Sequence, residues 1–403
     1  MKLRWLTLAA TVFCMVLAVS AQAEKPRHPA PPHHPNAHRA AARNRRHEVV
    51  RADHSRVVAE YGHRGYVEHP YSYGGHNFYR RSVYFHGRYV GVRYYRGYSW
   101  HGYGLHIWAP GVYFTHGFYG WAYHPWRAPV YYRWGWYGAP WYGSYGYYFQ
   151  PYSSYAGASQ WLTDYTISQD LSADYDAQGG GAAPPPEAGD AGADVIAPDT
   201  KQAINDEVEY ELSVENGEAD LTSANSDVDA GSSGIPRLFA DSKAHVFVVS
   251  APIDVTVAGS TEECSLTNGD VIRTTVPPGP DDKSAVLTVI ARKRGDGECA
   301  KSSKVIVSLD DLQEMQNSLR QNVHDGLTQL QQEQGKNGIP ALPPAAAGAA
   351  TTPQYAAIAP PPDPNDGAAV EQQAGDSDAT PGSQPPPAPT PAQTQAPAPI
   401  ERR

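Results

Sequence analysis

The run SVYFHGRYVGVRYY, residues 82–95, is rich in β-branched and aromatic residues and is punctuated by glycine. This composition is typical of short β-strands joined by turns. The run belongs to a longer region, residues 61–155, which holds 23 of the 27 tyrosines, seven of the nine tryptophans and 16 of the 37 glycines. In the last part of this region, after residue 130, Leu, Ile and Val are nearly absent, which argues against an ordinary aliphatic core there. The sequence therefore predicts short β-hairpins in a largely low-complexity region.

A His-Gly pair recurs in this region at an even spacing of 15 residues, as His86-Gly87, His101-Gly102 and His116-Gly117. Such a spacing is typical of a repeated unit of two short strands and a turn. The alternative is coincidence, because His and Gly are both frequent here. The sequence leaves both interpretations open.

The aromatic region has the composition of a contact surface. Tyr and Trp offer flat apolar faces that stack on sugar rings and on Arg, and the guanidinium of Arg pairs with carboxylate or phosphate. We therefore expect this region to contact an anionic glycan or lipid surface. Self-association, which low-complexity aromatic chains tend to show, is the alternative. The candidate contact residues are Arg80, Arg81, Arg88, Arg93, Trp134, Trp136 and Trp141.

The first 23 residues have the pattern of a secretory signal peptide. Lys2 and Arg4 precede an apolar stretch, and an Ala-Gln-Ala motif ends at Ala23, which predicts cleavage before Glu24. No later stretch approaches the 18 apolar residues of a membrane span. We therefore expect a periplasmic or secreted protein without a transmembrane segment after cleavage, and no nucleic-acid partner.

Charge divides the chain into two halves. Residues 24–160 carry a net charge of +11 and 14 of the 16 histidines, whereas residues 161–403 carry −23. This division implies either an anionic partner for the basic half or contact between the halves. Residues 24–60 form a basic arm rich in His and Pro. His28, His33, His34 and His38 provide the alternative function, a secreted protein that binds Zn, Ni or Cu.

Residues 237–335 provide the best candidate for an independent fold. Five strand-like runs between residues 245 and 307 predict a small, partly open β-barrel. Cys264 and Cys299 are the two cysteines left after the leader, and an oxidising compartment favours a disulfide between them. Ser308 then begins an amphipathic helix, with Ser308 and Asp311 as an N-terminal capping pair.

The run CSLTNGDVI, residues 264–272, resembles a turn of bacterial SH3-like domains, in which a hydrophobic residue precedes a Gly-Asp pair. That resemblance implies a barrel that binds peptidoglycan or its peptide stems. The aromatic groove of the family is missing, since only Phe239 and Phe247 are aromatic in this part. A barrel without a ligand is the alternative.

The remaining segments complete the predicted organisation. Residues 161–178 form a short helix, and residues 179–236 an acidic linker that contains a second helix over residues 200–214. Residues 336–403 are rich in Pro and Ala and are predicted to be a disordered tail. The predicted fold class is thus a mostly disordered chain with one small SH3-like barrel and a long amphipathic helix.

The overall layout is similar to that of uncharacterised secreted proteins of Gram-negative bacteria, which combine a Gly/Tyr/Trp-rich region with a small Cys-containing domain. The resemblance implies export and supplies no functional residues. The sequence contains no G-x-S-x-G, P-loop or H-E-x-x-H motif. We therefore expect an exported, non-enzymatic protein of the cell envelope that uses no cofactor.

Overall fold

A computed structural model describes residues 47–60, 64–178, 180, 195–224, 226–241, 243–279, 281–293 and 298–378, all of which belong to one compact unit. These residues contain two six-stranded antiparallel sheets and eight helices. The predicted fold class, a mostly disordered chain with one small domain, is therefore wrong. The aromatic region is not a low-complexity appendage but one of the two sheets and much of the core.

The first sheet is a meander in which each strand pairs with the next along the chain. Its strands are β1 (His47–Val50), β2 (Arg56–Glu60), β3 (Arg64–Tyr73), β4 (His76–Phe85), β5 (Arg88–Trp100) and β6 (Tyr103–Ala109). Strands β1 and β2 come from residues that the sequence assigned to the basic arm. The prediction of hairpins is confirmed, although strands of up to 13 residues replace the short ones expected.

Two of the three His-Gly pairs form the tight turns of this meander. His86-Gly87 joins β4 to β5, and His101-Gly102 joins β5 to β6; all four residues have positive φ angles. Two consecutive residues with positive φ form the turn that matches the twist of a two-residue hairpin. The third pair, His116-Gly117, begins a helix instead, so the pattern does not repeat a third time.

The second sheet is formed by the segment in which the barrel was predicted. Its strands are β7 (Val246–Val248), β8 (Ile253–Val257), β9 (Glu263–Leu266), β10 (Val271–Val276), β11 (Ser284–Ala291) and β12 (Lys304–Ser308), in the order β7-β10-β11-β12-β8-β9. The five expected strands are present, and β9 is an additional one. Strand β9 carries Cys264, which forms a disulfide with Cys299 as predicted.

The helices pack between and around the sheets. They are α1 (His116–Tyr123), α2 (Pro140–Tyr145), α3 (Ala158–Ala177), α4 (Pro198–Ser223), α5 (Ile235–Leu238), α6 (Leu309–Glu333), α7 (Gln354–Ala357) and α8 (Asp366–Asp378). The predicted helices over 161–178, 200–214 and 309–335 correspond to α3, α4 and α6. Helix α4 is longer than predicted, because its buried face extends to Ala219.

Helix α6 joins the two halves of the chain. Its N-cap, Ser308, accepts a hydrogen bond from the backbone of Asp311, as the sequence indicated. Further along, α6 contacts β6 through Asn317. The Asn317 side chain accepts a hydrogen bond from the Trp108 N–H and donates one to the His106 carbonyl, both at 2.8 Å. Side chains of α6 thus form hydrogen bonds with backbone groups of β6, the edge strand of the first sheet, that have no neighbouring strand to pair with.

Oppositely charged residues from the two halves pair directly. Arg81 makes a bidentate contact with Glu314, with N–O distances of 2.7 and 2.9 Å, and Arg93 lies 2.9 Å from Asp325. Much of the charge division in the sequence is therefore resolved by contact within the chain.

A Pro/Ala-rich segment, residues 336–365, crosses the molecule before α8; we call it the strap. Thr351 pairs with Tyr113, and Tyr355 stacks on Phe78 with ring centroids 4.9 Å apart. Beyond the strap, Val370 of α8 is buried against the first sheet. The expectation of a disordered tail is thus wrong for residues 336–378, and residues 379–403 lie outside the described part.

Candidate functional site

An open groove lies beside α1, on the aromatic half of the molecule. Gly117, Gly120, Trp121 and His124 line it. These residues follow the i, i+3, i+4, i+7 spacing of one helical face. A Cβ atom at Gly120 would have nothing within 4 Å, so this glycine leaves the floor of the groove open beside the Trp121 ring.

The second wall of the groove is the loop after α1, residues 125–131. Two points of backbone pairing hold this loop: Trp126 donates to the Ala156 carbonyl at 2.7 Å, and Val130 exchanges two 2.9 Å hydrogen bonds with Tyr155. Between them the loop projects Arg127 into solvent, and it ends at Tyr131, whose side chain is 81% exposed. A fixed backbone therefore presents one of the most exposed aromatic rings among the described residues.

The strap forms the third wall, through Pro340, Ala341, Pro343 and Ala346. Thr115, the N-cap of α1, donates from its hydroxyl to the Ala346 carbonyl at 3.0 Å. The strap comes so close to α1 that a Cβ atom at Gly117 would lie 2.5 Å from the Ala346 Cα. The three walls enclose a volume of about 970 Å³, which is large enough for several sugar rings.

The groove is basic and aromatic. His124 and Arg127 line it together with Trp121, Trp126 and Tyr131, and none of its lining residues is acidic. Arg127 forms no ion pair with any residue in the described part of the chain. The Trp126 ring is 8% exposed and supports Trp121, with ring centroids 5.9 Å apart, so Trp121 and Tyr131 are the rings that the groove offers to a ligand. Such a surface can stack on apolar ring faces while a cation pairs with an acidic substituent.

The arginines that the sequence singled out lie on the first sheet, away from this groove. Arg80 and Arg81 are buried, and Arg81 is held between Glu68 and Glu314. Arg93 is partly exposed and paired with Asp325. Arg88 is exposed. The four therefore form no common contact surface, because three of them join parts of the chain or support the sheet.

The three predicted tryptophans lie together in the interior. Trp134 and Trp141 are 3% and 7% exposed, and Trp136 is partly buried between them. Trp134 stacks on Trp161 of α3 with centroids 4.7 Å apart, and its Nε1 donates to the Tyr155 hydroxyl at 2.6 Å. Their faces are occupied by neighbouring rings, so they serve as core residues.

The histidines proposed for metal binding, His28, His33, His34 and His38, lie outside the described residues. Within the described ranges, no group of three or more His, Cys, Asp or Glu side chains has the geometry to hold a metal ion. The metal-binding alternative therefore stays a prediction.

A buried cluster of charges lies under the first sheet, between α4 and α6. Arg320 is 3.1 Å from both Glu211 and Glu218, and Arg96 is 3.7 Å from Glu218. Burial raises the pKa of Glu211 to about 8 in spite of Arg320. Burial also raises the pKa of Glu218, but Arg320 and Arg96 outweigh it and bring that pKa below its ordinary value. Since its members pair with one another away from solvent, the cluster has a structural role.

The groove residues were missed because aromatic residues are so frequent in this region. In the sequence, the one signal for the groove is the pair Gly117 and Gly120, which share a helical face with Trp121 and His124. Glycines on a helical face beside a tryptophan indicate either that another segment packs closely there or that the surface is open. Here the strap packs closely on Gly117, and the space beside Gly120 is open.

No family model, curated protein or solved structure matched this chain when it was compared with them. Among the described residues, no helix combines the length and the apolar character needed to span a bilayer.

Proposed function

We propose that this chain is an exported, non-enzymatic protein that binds an acidic polysaccharide of the cell envelope in the groove beside α1. The observation that carries the proposal is the lining of the groove, in which the partly exposed Trp121 and the exposed Tyr131 accompany Arg127 and His124 without any acidic residue. Sugar rings have apolar faces that stack on indole and phenol rings, and a carboxylate or phosphate substituent pairs with guanidinium.

The fixed backbone of the groove supports this proposal. Its loop is held by hydrogen bonds at both ends, and the strap is pinned to Thr115. A site that is formed before the ligand arrives loses little conformational entropy on binding. The groove thus offers the rigid aromatic surface that extended polymers require.

Self-association is disfavoured at one exposed sheet edge. Beyond the end of β6, residues 88–93 of β5 have β4 on one side, and a bulge falls at Val90, which is 64% exposed. Antiparallel pairing of two copies around this point would place Arg88 opposite Arg93. Bulges and like charges are the means by which proteins protect such edges.

Export rests on the leader pattern that ends at Ala23 and on the disulfide. A disulfide between Cys264 and Cys299 persists in an oxidising compartment. Both features are compatible with a periplasmic or secreted protein.

Affinity electrophoresis of the purified protein, in gels that contain alginate or dextran, tests the proposal. We expect alginate to retard the protein and dextran to have little effect, because the groove is cationic. The variants Trp121→Ala and Tyr131→Ala should weaken alginate binding at least about tenfold, which corresponds to about 1.4 kcal/mol of lost contact. Arg127→Ala should reduce the dependence on salt.

Matched controls come from exposed residues of the same types outside the groove. Tyr137 is 44% exposed and Arg88 is exposed, so Tyr137→Ala and Arg88→Ala should bind as the unmodified protein does. Retention that is unchanged in the groove variants but lost in Arg88→Ala would contradict the proposal. Binding to phosphatidylglycerol vesicles, insensitive to Trp121→Ala, would show a lipid surface to be the partner instead.

A further inference from the structure

A second cleft lies between the two sheets, remote in sequence from the groove. The face of β3–β5 supplies Arg64, Arg81 and Arg93, and the opposite side comes from β8, β9 and the start of α6. The cleft encloses about 580 Å³, within the range of sites for small ligands.

The two sides of this cleft carry opposite charges. Facing the arginines are Asp254, Glu263, Asp311 and Glu314. Two side chains of α6 cross the cleft: Glu314 forms the bidentate pair with Arg81, and Gln321 accepts from the Arg93 Nε at 3.2 Å and donates to the Tyr95 hydroxyl at 2.9 Å. The other two arginines have partly exposed partners: Arg64 lies 3.7 Å from Asp176, and Arg93 pairs with Asp325 through Nη2 at 2.9 Å. An ion pair exposed to solvent is weak, so the Arg93 guanidinium can still receive a carboxylate from the cleft.

Glu263 is the acidic residue most available to a ligand. Its side chain is exposed on β9, and it forms no ion pair with any residue that the structure describes. The neighbouring Cys264 is joined to Cys299, which fixes the strand that presents Glu263. Opposite charges thus face each other across an open volume, and among the described residues the Glu263 carboxylate is not closed onto any of the arginines.

The aromatic rings in this cleft are already occupied. The Arg81 guanidinium lies 4.4 Å from the centre of the Tyr66 ring and 3.7 Å from that of Tyr95. The two rings are also only 7% and 2% exposed, so neither offers a face for stacking on a sugar, in contrast to Tyr131 of the groove. Ser318 provides a neutral hydrogen-bonding group instead, which suits an amide group. Ser265 already donates to Asp254 at 2.7 Å, and Gln321 donates to Tyr95 at 2.9 Å.

From this arrangement we propose that the cleft binds a short peptide with free ends, with its ammonium group toward Glu263 and its carboxylate toward Arg93. The ligand class follows from the two charged sides, and the absence of a free aromatic face excludes a sugar as the principal ligand. This site is independent of the polysaccharide groove.

Isothermal titration calorimetry of the full protein with triglycine tests the proposal. We expect a dissociation constant in the millimolar range or below. N-acetyl-triglycine and triglycine amide each lack one terminal charge and should bind at least about tenfold more weakly. Glycine oligomers of one to four residues would show which length best spans the two sides.

Variants then assign each end of the peptide. Glu263→Gln should weaken triglycine binding but leave N-acetyl-triglycine unaffected, since that peptide has no ammonium group. Arg93→Gln should weaken triglycine binding but leave the amide unaffected. Glu262→Gln, an exposed neighbour outside the cleft, is the matched control, and Trp121→Ala should not change triglycine binding.

Two results would overturn the proposal. One is the absence of triglycine binding up to about 10 mM, well above the affinity expected. The other is equal binding of the free and blocked peptides, which would show that the charged sides take no part. Failure of the groove variants to affect alginate would leave this test untouched, so the two sites are judged separately.

Discussion

Replacement of Arg320 by methionine removes the cation that connects α4, α6 and the first sheet. Arg320 is 1% exposed, pairs with Glu211 and Glu218 at 3.1 Å, and donates to the Trp108 carbonyl at 2.8 Å. The variant leaves the buried Glu218 carboxylate with Arg96, 3.7 Å away, as the cation beside it, and it leaves the Trp108 carbonyl without this donor. Removing one partner of a buried ion pair costs about 3–5 kcal/mol.

Urea unfolding followed by tryptophan fluorescence measures this loss, because the Arg320 guanidinium lies 5.2 Å from the Trp108 ring. We expect Arg320→Met to lose about 3–5 kcal/mol of unfolding free energy. Arg88→Met, at an exposed arginine, should stay within about 0.5 kcal/mol of the unmodified protein. A loss below about 1 kcal/mol in Arg320→Met would refute the view that this cluster holds the two halves together.

Three further predictions concern the stability of the fold. Removing the disulfide by replacing Cys264 and Cys299 with serine should lower the unfolding free energy by about 3–4 kcal/mol, as expected for a loop of this length; an unchanged urea midpoint would contradict it. Burial raises the pKa of Asp170 to about 8, so the folded state keeps a proton that the unfolded state releases above about pH 4. Stability should therefore fall as the pH rises from about 4 to about 8, and Asp170→Asn should flatten that slope in thermal melts. Gly117→Ala should cost about 1–3 kcal/mol by forcing the strap from α1, whereas Gly120→Ala, which enters open space, should be neutral or stabilising by up to about 1 kcal/mol. Equal effects of the two substitutions in chemical unfolding would disprove the close packing at Gly117.

Local signals in the sequence predicted local structure well. The five strand-like runs of the second sheet, the Ser308 cap and the apolar stripe of α6 depend on neighbouring residues, and all are present. The disulfide was predicted from the two cysteines that remain after the leader and from the oxidising compartment that the leader implies. The His-Gly pairs at 86 and 101, for which the sequence left turns and coincidence both open, form turns, and the positive φ angles explain why glycine stands second in each.

The fold class was missed because the core of the aromatic half comes from distant parts of the chain. Trp134 packs on Trp161, and Phe118 belongs to a cluster that includes Val208 of α4 and Leu327 of α6. A window of sequence around residue 130 contains few aliphatic residues, whereas α3, α4 and α6 supply them in the folded chain. Composition within a window cannot reveal such partners.

The same reason explains the candidate sites. The high frequency of Arg and Trp led to the choice of Arg81 and Trp134 as contact residues, but both side chains are buried. The groove depends on Tyr131 remaining exposed and on the strap returning from more than 200 residues later to meet α1. Neither feature can be predicted from the residues close to the groove in the sequence.

Oxidative footprinting of the protein with and without alginate tests the central claim, that the groove is the polysaccharide site. Tyr131 is 81% exposed in the free protein and is therefore readily modified by hydroxyl radicals. We predict that alginate protects Tyr131 and Trp121, while Tyr137 and Tyr89, exposed outside the groove, are modified at the same rate in both states. Protection of Tyr137 or Tyr89 with no change at Tyr131 and Trp121 would contradict the account.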